Sequence, residues 1–333
     1  MVDIPENYRS ILSLRETQQA IKYIKDVFQQ TLSSFLVLDR VTAPLILPAD
    51  SGINDDLNGV ERKVRFSVPA ADCDGEIVQS LAKWKRLALY RYKYAPGEGI
   101  YTDMNAVRRD DVTDNTHSVF VDQWDWEKVI TPADRNIDYL KDTVCSIARA
   151  VAYTNRKVGL RYPALNVHIE EKPFFVTAEE LLGMYPGMTP KQREKEVTQK
   201  HGTVFIIGIG GKLSDGSIHD GRAPDYDDWT LNGDLFVWND VLGDALEISS
   251  MGIRVDGAAL DFQLRECGAE DRYKYEYHSM IRDGVLPYTV GGGIGQSRLC
   301  MIMLKKAHIC EVQASVWPLE ITEACAKRGI ELL

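Results

Sequence analysis

No apolar run in the 333-residue sequence approaches the roughly 18 residues of a membrane span, and no basic-plus-apolar leader precedes it. A cytoplasmic protein that engages no membrane is therefore expected. Its six cysteines, Cys73, Cys145, Cys267, Cys300, Cys310 and Cys325, never fall at C-x-x-C or Cys/His zinc spacing, so reduced, buried thiols are expected. Positive charge is also scarce: 39 Lys and Arg stand against 49 Asp and Glu, a formal net charge of −10. Nucleic-acid affinity rests largely on clustered cations, so no nucleic-acid partner is expected and any phosphate bound should be small and held in a pocket. The remainder has the composition of an ordinary soluble globular chain, long enough to bury a sizeable core.

The most informative stretch runs from Pro287 to Leu304 and reads as strand, glycine turn and helix. Gly291, Gly292, Gly293 and Gly295 remove the Cβ atoms that would stop a sharp bend or a flat ligand lying against the backbone. Arg298 falls in the first turn of the apolar helix that follows, where a guanidinium can meet a phosphate or an aromatic ring. Alone, this stretch fits a glycine-rich helix cap as well as a nucleotide platform.

Elsewhere, Arg15 to Ser33 carries Ile21, Ile24, Val27, Phe28 and Leu32 at helical spacing, and Phe35 to Val41 reads as a strand that stops before Pro44. A loop over Asp50 to Gly59 holds Asp55 and Asp56, and a strand is expected over Arg62 to Val68. Ser80 is a plausible N-cap for a helix whose Lys83, Lys85 and Arg86 surround Trp84; such cations commonly form a solvated face, unless an acidic ligand lies within reach of Lys85. Two strands flank a hairpin with Arg108 and Asp110 at its top, where the arginine could clamp a phosphate while the carboxylate orients it. In the second of them, alternation places Val119, Val121, Gln123 and Asp125 on one face and Phe120, Asp122, Trp124 and Trp126 on the other, so Gln123 and Asp125 should line a pocket.

Residues 133 to 155 read as a helix, and 158 to 200 as a peripheral insertion whose Lys191 to Glu196 run is a solvated face without chemistry. The glycine spacing ahead of Lys212 does not fit G-x-x-x-x-G-K, and no helix pattern follows, which excludes a phosphate loop there. His219 to Trp229, irregular, acidic and aromatic, reads as an active-site lid or wall. Strands over Gly233 to Trp238 and Glu247 to Val255 gather Asp234, Asp240, Asp244 and Glu247 where they turn back, the place expected for an ATP-bound Mg²⁺.

Pro44 after a helix and strand, Arg108-Arg-Asp110 in a hairpin, and Gly291 through Leu299 resemble the three motifs of the class II aminoacyl-tRNA synthetase fold. Glu247 through Arg254 likewise resembles the metal-and-phosphate strand of aspartyl-tRNA synthetase. A closer resemblance, covering almost the whole chain, is to the A-type, ammonia-dependent asparagine synthetases, through Ser80 to Arg86, His117 to Glu127 and Arg222 to Trp229. It implies an α+β catalytic domain over residues 1 to 333, an antiparallel sheet flanked by helices, and a homodimer built partly on the first helix and strand. The implied reaction is ATP-dependent conversion of L-aspartate and ammonia to L-asparagine through β-aspartyl-AMP, with AMP and pyrophosphate released.

By the same resemblance Arg108, Asp110, Glu247 and Arg298 would bind ATP, with Arg108 at the α-phosphate, and Glu247 would hold Mg²⁺ with Asp234. Asp240, seven residues before Glu247, and Asp244 are the alternatives to Asp234. Lys85 and Arg222 would take the α-carboxylate of aspartate; Ser80, Gln123 and Asp125 would take its ammonium, with Ser250 also at the aspartate. Asp55 or Asp227 would accept the ammonium proton, Asp55 being preferred. Free ammonia is the expected nitrogen donor, since no N-terminal cysteine nucleophile or glutamine-hydrolysing domain is read. An aminoacyl-tRNA synthetase relative and an idle binding homologue are the rivals. Ser297, where synthetases usually have Asp, and the acidic charge weigh against the first; Arg108, Glu247 and Arg298 weigh against the second.

Overall fold

The protein was analysed as a computed structural model describing residues 4–55, 57 and 61–333; Asp56 lies outside them. Helix α1 (Leu14–Leu36) begins at a capping box in which Ser13 and Glu16 satisfy each other's backbone N–H groups. It buries Ile21, Ile24, Phe28 and Leu32 at the expected spacing. The apolar face continues to Leu36, so the helix takes over the start of the expected strand and leaves only β1 (Leu38–Arg40). Strands β2 (Ile46–Pro48), β3 (Arg65–Val68) and β4 (Cys73–Ile77) form a small antiparallel sheet in the order β2-β4-β3.

Helix α2 (Ala82–Tyr92) leads into the long hairpin of β5 (Gly99–Val107) and β6 (Phe120–Val129), followed by α3 (Ile137–Arg161). Then come β7 (Phe174–Thr177), α4 (Ala178–Met184), α5 (Pro190–His201) and β8 (Thr203–Ile207). Strands β9 (Asp227–Asn239) and β10 (Asp244–Arg254), helices α6 (Gly257–Glu266) and α7 (Glu276–Arg282), strand β11 (Thr289–Gly295), and helices α8 (Gln296–Met303) and α9 (Leu319–Lys327) complete the chain.

The main sheet runs β1-β5-β6-β11-β10-β9-β8-β7. Its six central strands are antiparallel, while β1 and β7 join the two edges in parallel. Helices α1 and α3 cover one face, burying Trp124, Trp126, Leu235, Val237 and Ile294 in the largest core cluster. The opposite face carries the polar residues of the site. The strand alternation read from the sequence therefore holds: Trp124 and Trp126 turn into the core and Gln123 and Asp125 away from it.

Three expectations change. Gly291 to Gly295 form no turn; they are the body of β11, paired with β6 on one side and β10 on the other. Space, not bending, demands glycine: a Cβ on Gly291 would lie 2.0 Å from Glu127 Oε2, and one on Gly293 2.2 Å from Gln123 Oε1. Ser80 is not the N-cap of α2; Leu81 is, and the Ser80 hydroxyl accepts from the Ala82 N–H. The cations around Trp84 are no solvated face, since Lys83, Lys85 and Arg86 are all about as buried as core leucines. Of the cysteines, Cys300, Cys310 and Cys325 are buried and free, whereas Cys73 and Cys267 are exposed.

Candidate active site

A cavity of about 550 Å³ opens over β6, β10 and β11, where Gln123, Ser250 and Gly293 form its floor. Arg108, just past the end of β5, lines it, and its Nε is buried without a hydrogen-bond partner. A buried donor of that kind is costly unless a ligand completes it. Arg298 lies across the cavity in the first turn of α8; its Nη1 donates to the Glu247 carbonyl at 3.0 Å and its Nε to the Thr116 carbonyl at 3.4 Å. Burial would raise the Glu247 carboxyl, but Arg298, 3.6 Å away, together with Arg222, Lys191 and His117 holds it below the usual value. Asp110 does not orient Arg108. Its carboxylate is occupied by the backbone and guanidinium of Arg62 outside the cavity, and Asp111 lines the wall instead.

Beneath the floor lies a fully buried ion network. Arg254 donates Nε and Nη2 to Glu127, at 2.9 and 2.6 Å, and Nη1 to Asp227. Glu127 also accepts from the Thr289 hydroxyl at 2.7 Å. Burial pushes Glu127 up and Arg254 more than reverses this, whereas at Asp227 burial dominates and the carboxyl stays raised. Lys85 Nζ donates to the Gly292 carbonyl at 3.0 Å and sits 3.2 Å from Asp125 Oδ2 and 4.0 Å from Glu127. Burial lowers the Lys85 ammonium despite these carboxylates.

Lys85 and Asp125, expected at opposite ends of aspartate, are thus paired with each other, and neither is among the residues lining the cavity. Gln123, Arg222 and Ser250 do line it. Arg222 is held by Asp220 at 2.8 Å and by Asp234. Ser80 is half-buried and engaged with the start of α2. Asp55 is buried beside Tyr226, whose hydroxyl is raised first by burial and then by Asp55 and Asp227. Its neighbour Asn54 accepts from the Gln79 N–H and donates to the Ile77 carbonyl, which fixes the chain at that residue.

Asp234 and Glu247 lie on one face of adjacent strands, Asp234 across from Ser250 and Glu247 from Phe236, but only Glu247 lines the cavity. Asp234 Oδ1 is buried without a hydrogen-bond partner. Burial raises its carboxyl to about 6 against Arg222, with Glu247 and Asp220 adding to the rise. Asp240 and Asp244 are exposed at the far turn of the hairpin, and Asp244 lies 3.8 Å from Lys195. The oxygen donors therefore fit a hard divalent cation at Asp234 and Glu247, one that keeps phosphate and water as its other ligands.

Several residues at or behind the cavity escaped the sequence reading. Glu127 continues the i, i+2 face of Gln123 and Asp125, a signal that was there to be used. Lys191 and His117 carry no such signal; they reach the cavity only through tertiary packing. Asp225, in the expected lid, is fully buried against Lys83 at 2.7 Å, Arg272 at 2.6 Å and His278 at 2.8 Å, so this wall is anchored rather than loose.

A sequence model of the aspartate-ammonia ligase family matches residues 15–329. The aspartate–ammonia ligase of Clostridium tetani is 52% identical over 331 residues, covering 99% of this chain and 97% of that protein. That of Bacteroides thetaiotaomicron is 52% identical over 339 residues, covering 99% and 98%. Among solved structures, asparaginyl-tRNA synthetase from Entamoeba histolytica, in complex with asparaginyl-adenylate, superimposes with a TM-score of 0.63 at 15% identity, covering 90% of this chain and 66% of that one. The Pyrococcus horikoshii enzyme complexed with asparaginyl-adenylate gives 0.63 at 16%, covering 91% and 70%. The chain thus spans about two thirds of the length of these synthetases, and the likeness establishes a class II synthetase fold.

Proposed function

The chain belongs to the aspartate–ammonia ligase family, and we infer that it joins L-aspartate and ammonia at the expense of ATP, yielding L-asparagine, AMP and pyrophosphate. The observation that carries this reading is near-complete coverage by relatives of that activity, on a fold whose cavity holds Arg108, Arg298 and Glu247 together. In the first half-reaction a β-carboxylate oxygen of aspartate bonds to the α-phosphorus while the bond to the β-phosphate oxygen breaks, and pyrophosphate takes the electron pair. Arg108, with its unpartnered Nε, stabilises the charge that builds on the α-phosphate, and Arg298 holds the nucleotide from the other side.

Lys85 and Arg222 receive the α-carboxylate of aspartate, and Gln123 and Asp125 its ammonium; Ser250 lies on the same floor, and Ser80 acts through the start of α2. Asp234 and Glu247 would hold Mg²⁺, which when bound neutralises phosphate charge. In the second half-reaction ammonia attacks the β-carbonyl carbon of β-aspartyl-AMP and AMP leaves with the bonding pair. Ammonium must first lose a proton, and of Asp55 and Asp227 the acceptor we favour is Asp55. A homodimer is also part of this proposal. Phe35, Val37, Leu45 and Ile46 are exposed at the end of α1 and around β1 and β2, apolar side chains that a second copy could cover. We further propose one catalytic domain acting in the cytoplasm, without a nucleic-acid partner.

The test is pyrophosphate release by the purified protein with ATP and aspartate, with and without ammonium and without tRNA, alongside asparagine analysis. Asparagine should form only with ammonium, and a requirement for tRNA would sink the reading. Asp55→Ala should slow asparagine formation far more than aspartate-dependent pyrophosphate exchange; equal slowing of both would move Asp55 to substrate binding.

A further inference from the structure

Lys191 is the only cavity-lining residue contributed by 158–200 among the described residues. It sits at the start of α5, behind the Thr189 cap, and its side chain remains 76% exposed at the cavity mouth. Its Nζ is steered by the buried Glu194 at 2.9 Å. Glu194 also lies 3.2 Å from His219, just ahead of Asp220 and Arg222 in the wall, so α5 is docked where its lysine faces the site. Desolvation works against the Lys191 charge, but Glu194, Glu247 and Asp220 more than offset it and raise the ammonium.

His117, from the β5–β6 connection, is a second lining residue without an assigned role. Asp114 accepts from its backbone N–H and holds its Nδ1 at 2.8 Å, which leaves Nε2 as the ring nitrogen open to a ligand. Lys191 lines the cavity with Arg298 and Glu247, and its charge, like those of Arg298 and Arg222, acts on Glu247. Arg298, Arg222 and Lys191 around one carboxylate exceed what that carboxylate needs, particularly if it shares a divalent cation with Asp234. With Arg108 at the α-phosphate, the anion still without cationic partners is the terminal diphosphate of the nucleotide.

Resting on the ligase reading, we propose that Lys191, together with Arg298, seats the β- and γ-phosphates of ATP and thereby the departing pyrophosphate. The mobile ammonium of lysine suits this task, because the group must release a product as well as hold a substrate. Its charge lies beside the bridging oxygen that gains the electron pair when the bond to the α-phosphorus breaks. The supposed peripheral segment is then a wall of the active site, and Glu194 is a positioning residue for Lys191.

The experiment compares equilibrium binding of AMP and of magnesium ATP to wild-type protein, Lys191→Met and Lys191→Arg, together with aspartate-dependent exchange of labelled pyrophosphate into ATP. Loss of one charge-assisted phosphate contact should weaken ATP about tenfold and raise the KM for pyrophosphate similarly in Lys191→Met. AMP affinity should stay within about twofold, which also reports an intact fold, and Lys191→Arg should recover most of the difference. Equal weakening of AMP and ATP, or no change in either, overturns the subsite. A wild-type protein that lacks aspartate-dependent exchange overturns the ligase reading and the pyrophosphate role with it, whereas normal wild-type exchange with unaltered variants overturns the subsite alone.

Discussion

The roof and the floor of the cavity handle charge in opposite ways. Around the roof, Arg108, Lys191 and Arg298 are half-buried or exposed, and their donors are incompletely used. Beneath the floor, Lys85, Asp125, Glu127, Asp227 and Arg254 are almost fully buried and fully cross-paired. The difference follows from desolvation: a solvated cation can wait for its anion, while a buried one must carry its counter-ion through folding. An anion entering at the roof therefore meets vacant donors, whereas any ligand of the floor residues must exchange with ion pairs that the protein has already made.

The comparison is broken most severely at Arg254. Arg254→Met should lower stability by about 3–5 kcal/mol in urea titration, because it leaves Glu127 and Asp227 as uncompensated buried carboxylates. A second change, Glu127→Gln, should restore part of that loss. If Arg254→Met is as stable as wild type, the floor is not the paired network described above.

The roof should respond in the other sense. Arg298→Ala is expected to lower kcat by about a hundredfold, the scale for losing a preorganised charge donor, and Arg108→Ala by a similar factor. Thermal stability should shift little, since neither arginine is locked in a buried ion pair. A variant with near-normal turnover but a lowered melting temperature would put that arginine with the floor.

Much of this division was legible in the sequence where local patterns carried it. Alternation along 119–127 put Gln123 and Asp125 opposite Trp124 and Trp126, and α1 announced itself through Ile21, Ile24, Phe28 and Leu32. The glycines of 291–295 were legible as a close-approach element but not as a strand, because what they approach, Glu127 and Gln123, lies some 165 residues earlier in the chain. Lys83, Lys85 and Arg86 looked solvated for the same reason: their partners Asp225, Asp125 and the Val255 and Pro287 carbonyls are remote. Asp110 misled in the reverse direction, since sequence adjacency to Arg108 did not put the two side chains together. Lys191 had only helical periodicity to speak for it, and periodicity says which face is polar, not what that face overlooks.

The mildest perturbation probes the place where roof and floor meet, at Asp234 and Glu247. Asp234 is raised to about 6, first by burial and then, against Arg222, by Glu247 and Asp220. A carboxyl raised in this way favours the folded protein most when protonated, and that contribution fades as the pH climbs through about 6. A divalent cation reverses the preference, because it requires the ionised form. Magnesium alone should therefore raise the melting temperature by a few degrees at pH 8 and by almost nothing at pH 5, and Asp234→Asn should abolish the difference. Equal protection at both pH values would separate Asp234 from the cation site and leave Glu247 as its only tested carboxylate.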